Sequence, residues 1–109
     1  MRLVTARTVS EYGRAHPDVA QALSDWVAIV EAACWISGDH LRKAVGKSAR
    51  PLSDKRVVFN IKGNHHRIIA DIRYASLERG LAGIVKVQFV GTHADYDKVD
   101  AQTVTWKGA

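Results

Sequence analysis

Val57-Val58-Phe59-Asn60-Ile61 runs into Lys62-Gly63-Asn64-His65-His66-Arg67, and a later run, Ile84-Val85-Lys86-Val87-Gln88-Phe89-Val90, ends at Gly91-Thr92-His93-Ala94-Asp95-Tyr96-Asp97. These stretches decide the fold. In the first strand, Val57, Phe59 and Ile61 share one face, while Arg56, Val58, Asn60 and Lys62 share the other. Gly63-Asn64 supplies a tight turn, and in the returning strand Ile68, Ala70, Ile72 and Tyr74 alternate with Arg67, Ile69, Asp71 and Arg73. The third strand is expected to turn Val85, Val87 and Phe89 to the core and Ile84, Lys86, Gln88 and Val90 away from it. The pattern predicts an antiparallel sheet with one oily face. Its other face, carrying Asn60, Lys62, Arg67 and Lys86, is expected to stay open and cationic.

Upstream, Arg2-Leu3-Val4-Thr5 reads as a short strand and the residues around Val9 and Tyr12 as a brief helix stopped by Pro17. Asp18 is a plausible N-cap for a second helix, whose apolar positions Val19, Ala22, Leu23, Trp26, Val27, Val30, Ala33 and Cys34 follow helical spacing. From Gly38 to Asp54 the periodicity fades, which predicts a long loop with at most one helical turn. Glu78, Arg79, Gly80 and Gly83 mark a looser connection. Thr92 with Asp95 resembles a capping box that starts a short last helix, followed by a polar tail through Trp106. The reading is α+β, an antiparallel sheet packed on two N-terminal helices, in one domain over residues 1–109.

Composition narrows the function. A chain of 109 residues suits a single domain with a real core, and 47% hydrophobic with 25% charged residues is ordinary for a globular protein. The apolar run from Trp26 to Ile36 is broken by Glu31 and too short for a membrane span, and no signal sequence opens the chain. One cysteine permits no internal disulfide. A cytosolic protein that does not engage membranes is expected. The net charge of +5 is unevenly placed: residues 40–73 hold nine Lys or Arg against two acids, so this window is +7 and the remainder −2. Clustered cations concentrate phosphate polymers, although a solvated basic loop has the same pattern.

Cleaving RNA without a metal requires a base for the 2′-hydroxyl, an acid for the leaving 5′ oxygen, and cations for the charge gathering at phosphorus. His93 and Tyr96 are candidates for proton transfer, and Arg67 and Lys86 for charge stabilisation. Each has a plainer alternative: His93 as a helix cap, Tyr96 as packing on the sheet edge, Arg67 as a partner of Asp71. His65 and His66 are expected on opposite faces of a strand and so not in one site. His16 and His40 read as surface residues and Cys34 as core. Asp95, Asp97 and His93 lie close together, but no HExxH, paired-Cys or EF-hand spacing is present, so neither metal nor cofactor is expected. P-loop, Rossmann and nucleophile-elbow patterns are likewise missing.

The order of elements, with Val58-Phe59-Asn60-Ile61, Gly63-Asn64, Arg67 and then Gly91-Thr92-His93-Ala94-Asp95-Tyr96-Asp97, resembles the HigB toxins of bacterial type II toxin-antitoxin systems. The resemblance implies a RelE-like fold and an mRNA interferase that cleaves messages engaged on the ribosome. It also implies neutralisation by a HigA-type helix-turn-helix antitoxin, with operator DNA contacted only through the complex. Carried over residue by residue, Arg67 corresponds to the basic strand residue at the scissile phosphate, and His93 and Tyr96 fall where RelE-like toxins place acid-base groups. Lys55, Arg56, Asn60, Lys62, Asn64 and His65 are the expected RNA contacts. Two positions depart from the family: His66 is commonly an aromatic such as Tyr, and Gln88 commonly Lys or Arg. Lys86, on the same expected face, is a candidate to supply the missing charge. The alternatives are an RNA- or ribosome-binding module without cleavage, and a protein-interaction domain whose basic groove receives an acidic segment.

Overall fold

The computed structural model describes residues 1–62 and 65–105; the Gly63-Asn64 turn and Trp106 lie outside the described residues. The chain runs β1 (Arg2–Leu3), α1 (Ala6–Ala15), α2 (Ala20–Ala32), α3 (Gly38–Val45), a 3-10 turn (Gly46–Ser48), β2 (Ala49–Pro51), β3 (Arg56–Ile61), β4 (His66–Arg73), β5 (Ile84–Thr92) and α4 (His93–Tyr96). The strands form one sheet in the order β1-β5-β4-β3-β2. It is α+β as expected, but the sheet is mixed rather than antiparallel, because β1 pairs with β5 in parallel. Two residues at the chain start revealed no direction to a sequence reading; the edge they join decides it.

One face of the sheet carries the main core. Val57, Phe59 and Ile61, with Ile68, Ala70 and Ile72, form one core with Val9 of α1, Val19 just before α2, and Leu23, Trp26 and Val30 of α2. Trp26 meets Phe59 edge-on at 5.3 Å, and Trp35 stacks on the same ring at 6.2 Å. Aromatic pairs at such spacings add roughly 1 kcal/mol each beyond the area they bury. The helical stripe ends earlier than its spacing implied: α2 stops at Ala32, and Cys34 is exposed rather than core. Nor does Asp18 cap α2. Val19 holds the cap position without a side-chain bond, and Asp18 turns instead toward β4.

The expected long loop at 38–54 is structured. Ser37 caps α3 by accepting a bond from the His40 amide at 3.1 Å, and Gly46, with φ +68, ends it. Only Leu41 of this helix is buried, so the apolar repeat was too sparse to see. β2 then adds an edge beside β3, with Arg50 opposite Val58.

On β5 the register slips by one residue between the partners of Ile69 and Ala70. This bulge reverses the expected alternation: Val90 joins the helix-side core and Phe89 pairs with Ile69 on the far face. That face is not open along its length either. Val58 and Ile69 are buried, yet neither belongs to the helix-side core. The segment after α4 returns to β3, tied down where Arg56 Nη1 donates to the carbonyls of Ala101 and Val104 at 3.3 and 2.6 Å. Exposed polar side chains remain where β2, β4 and α4 meet, and at Lys86 and Arg73 toward the other end of the sheet.

Candidate active site

Arg67, near the start of β4, stands opposite Asn60 on β3 and Gly91 on β5. Paired residues share a face, so the absence of a side chain at Gly91 decides what Arg67 meets. A Cβ there would fall 2.7 Å from the Phe89 ring and 3.1 Å from Asp95 Cβ, so glycine is what lets α4 begin so close above the sheet. α4 is set by its capping box, Thr92 Oγ1 accepting from the Asp95 amide and the Asp95 carboxylate from the Thr92 amide, as expected. The His93 amide also donates to the carbonyl of His65 at 3.0 Å, fastening α4 to the β3–β4 corner.

These constraints gather Tyr96, His93 and Arg67. The Arg67 guanidinium lies 5.6 Å from the centroid of the Tyr96 ring, a cation–π distance. Arg67 is only 7% exposed, not an exposed strand residue, because Tyr96 and the α4 turn cover it. Tyr96 takes a second cation at its oxygen: Arg50 Nη2 donates to it at 3.0 Å. The His93 ring sits 6.5 Å from the Tyr96 ring at 70°. Its Nδ1 pairs with Asp97 Oδ2 at 3.1 Å, which orients the imidazole and leaves Nε2 for proton exchange. Arg50 and Asp97 join them although neither was expected to: Asp97 was weighed only with Asp95 and His93 as a possible cation ligand. Arg50 was one cation among nine, and only the unforeseen strand β2 aims it at Tyr96.

Lys86 is not brought to this cluster. It pairs with Asp71, four residues along β4 from Arg67, about 13 Å at strand spacing. Gln88 fills the same distant region, donating to Asp71 Oδ2 at 3.0 Å, while Arg56 Nε donates to Asp71 Oδ1 at 2.7 Å. Arg56 is 6% exposed and bound to internal carbonyls, so it holds the fold rather than offering itself to RNA. Lys55 is exposed and Asn60 half-buried, whereas Asn64 lies outside the described residues. Lys62 leaves the face expected of it. Its φ of +51 redirects the chain, and Nζ donates to the Asp18 carbonyl at 2.8 Å.

His65 and His66 do border one cleft, contrary to the expectation from strand alternation, because β4 begins only at His66 and His65 belongs to the connection before it. His66 is 4% exposed, bonded through Nδ1 to the Tyr12 hydroxyl at 3.2 Å and facing Asp18 Oδ2 from Nε2 at 3.5 Å. His16 is not an isolated surface residue; it stacks on Tyr12 at 3.9 Å. Burial, then the carboxylates of Asp95 and Asp18, push the Tyr12 phenol above its ordinary pKa, so it stays protonated. Among the described residues no three His, Cys, Asp or Glu side chains converge as a metal-holding group. A depression of about 520 Å³ between α1 and α2, lined by groups such as Val9, Leu23 and Val27, lies apart from His93 and Tyr96.

No helix among the described residues is long and apolar enough to cross a membrane. Residues 19–99 match the family model HigB_toxin, described as the RelE-like toxic component of a toxin-antitoxin system. A comparison with curated proteins found no match.

Proposed function

The chain belongs to the HigB toxin family, RelE-like toxic components of toxin-antitoxin systems, and we propose that it is a metal-independent endoribonuclease that cleaves mRNA on the translating ribosome. One observation carries this reading: Tyr96 lies between two guanidinium groups, Arg67 over its ring and Arg50 on its oxygen, with the Asp97-oriented His93 beside it. A phosphodiester placed there meets cations matched to its oxygens and two proton-transfer groups.

In the proposed reaction the 2′-hydroxyl attacks phosphorus, one of His93 and Tyr96 takes its proton, and the other protonates the departing 5′ oxygen. The products are a 2′,3′-cyclic phosphate and a 5′-hydroxyl. Arg67 and Arg50 stabilise the charge on the pentacoordinate phosphorus; such preorganised donors are worth roughly 3–4 kcal/mol each where measured. Lys86 and Lys55 then serve the flanking RNA backbone, and Lys62 and His65 a nucleotide next to the cut. As a toxin of such a system the protein has an antitoxin, and we take it to be a HigA-type helix-turn-helix protein that carries the pair to operator DNA.

Expression in bacteria with message mapping tests the proposal. Growth arrest and new message ends at ribosome-occupied codons are expected, with relief on co-expression of the antitoxin. Unimpaired growth at confirmed soluble expression would overturn it. A ribosome-binding module without cleavage is the second reading, favoured by Gln88 where the family commonly has Lys or Arg; translation arrest with intact message would select it.

A further inference from the structure

We infer that the cleft beside His93 is a nucleobase subsite that takes the base of a nucleotide next to the cut, with guanine the preferred occupant; the inference rests on the ribonuclease reading above. The cleft encloses about 450 Å³ between Asp18 at the α1–α2 corner, Lys62 and His65 before β4, His66 at its start, and Thr92 and His93 at the β5–α4 junction. None of this lining is apolar core. His93 is its common wall with the active site, since the same ring stands 6.5 Å from Tyr96. An RNA strand with its phosphate at Tyr96 therefore has an adjacent base within reach of the cleft.

The lining favours a base over a second phosphate. Asp18, with its side chain 62% exposed, approaches His66 only at 3.5 Å, longer than a good hydrogen bond, so its carboxylate keeps acceptor capacity. A phosphate would be repelled by it. Next to this acceptor is a donor: Lys62 Nζ, held at 2.8 Å by the Asp18 carbonyl, has further N–H groups to give. Guanine's Watson–Crick edge carries two adjacent donors, N1–H and N2–H, beside the O6 acceptor, and meets a carboxylate and an ammonium together. Cytosine and adenine offer the carboxylate one exocyclic amine, and uracil a single imide N–H between two carbonyls. Imidazole rings at His65 and His93 supply stacking surfaces of the kind used for unpaired RNA bases. Behind them, the buried His66 and its bond to Tyr12 brace the wall that Asp18 faces.

Amide chemical shifts of the full-length protein, titrated separately with 5′-GMP, 5′-AMP, 5′-CMP and 5′-UMP, test the subsite directly. GMP should move the amides of Lys62, His65 and Thr92 most, and Asp18→Ala should lower that preference roughly 10-fold, as loss of a two-bond base contact does. An equal response to all four nucleotides would mean a phosphate site and overturn the inference, as would no response in these amides. Cut-site sequencing is the second measurement. Wild-type ends should be enriched in guanine at one position flanking the cut, and Asp18→Ala should flatten that position alone. Cleavage without guanine bias sinks the subsite and spares the nuclease. Selective GMP binding by a protein that cuts no RNA sinks the nuclease and spares the subsite.

Discussion

Arg50 donates through Nη2 to the phenolic oxygen of Tyr96 at 3.0 Å, although 46 residues separate them in the chain. The bond joins the edge strand β2 to the first turn after β5, and so links the most basic part of the chain to the segment that carries His93 and Tyr96. Arg50 is exposed, so its removal should cost little stability. Arg50→Ala should lower single-turnover cleavage by roughly 100- to 1,000-fold, the range for loss of one preorganised donor at a transition state, with the melting temperature within a few degrees of wild type. Arg50→Lys, which keeps the charge but not the planar fork, should recover only part of the rate. Wild-type cleavage by Arg50→Ala would remove this residue from the site.

Arg67→Ala should abolish growth arrest and cleavage, but not without structural cost. The guanidinium is nearly buried against the Tyr96 ring, and losing a desolvated cation–π contact destabilises by about 2 kcal/mol. Denaturant unfolding and cleavage should therefore be measured on one preparation, with Arg67→Lys as the better-folded companion. A folded Arg67→Lys that cuts at the wild-type rate would show that no bidentate contact to phosphate is used.

His93→Ala and Tyr96→Phe should each lower the cleavage rate by roughly 100-fold, and the double variant should lose much less than the product of the two, because acid and base act in one transition state. Asp97→Asn should give a smaller loss, since it only orients His93 through Nδ1. The 5′ fragment should end in a 2′,3′-cyclic phosphate, and cleavage of ribosome-free RNA should be indifferent to EDTA. A 3′-hydroxyl end would indicate metal-assisted hydrolysis and contradict the mechanism.

Arg56→Met should destabilise the fold by about 3 kcal/mol, because it removes the buried partner of a partly buried ion pair together with two hydrogen bonds to carbonyls. Asp71 loses its cation and keeps the bond from Gln88, while the carbonyls of Ala101 and Val104 lose the Arg56 donor. Arg56→Met combined with Asp71→Leu should be milder than the two single losses added, because no charge is then left unpaired. Urea unfolding measures both. Strict additivity would mean that the two side chains do not act as a pair.

Legibility followed the number of residues sharing one signal. The alternation in Val57 to Ile61 and Ile68 to Ile72 and the stripe from Val19 to Val30 repeat a single message over many positions, and each lies in the core where they pointed. The capping box of Thr92 and Asp95 was legible for another reason: its two reciprocal bonds join residues only three apart in the chain. α3 escaped notice because one buried leucine makes no pattern. The bulge escaped it too, since no residue type in Val87-Gln88-Phe89 forces the slip that turns Phe89 outward; pairing with β4 does.

The sequence by itself determined the α+β class, the oily face of the sheet, the start of α4 and the presence of Arg67, His93 and Tyr96, because local spacing and local hydrogen bonds specify all of these. Only the tertiary structure decided which cations gather around Tyr96. Arg50 reaches Tyr96 and Lys86 does not, Arg56 is spent on the fold, and Lys62 turns to Asp18. A long cationic side chain has no preferred burial and no periodicity of its own, so its role is set by whichever acceptors the packed strands and the returning C-terminal segment place within its reach.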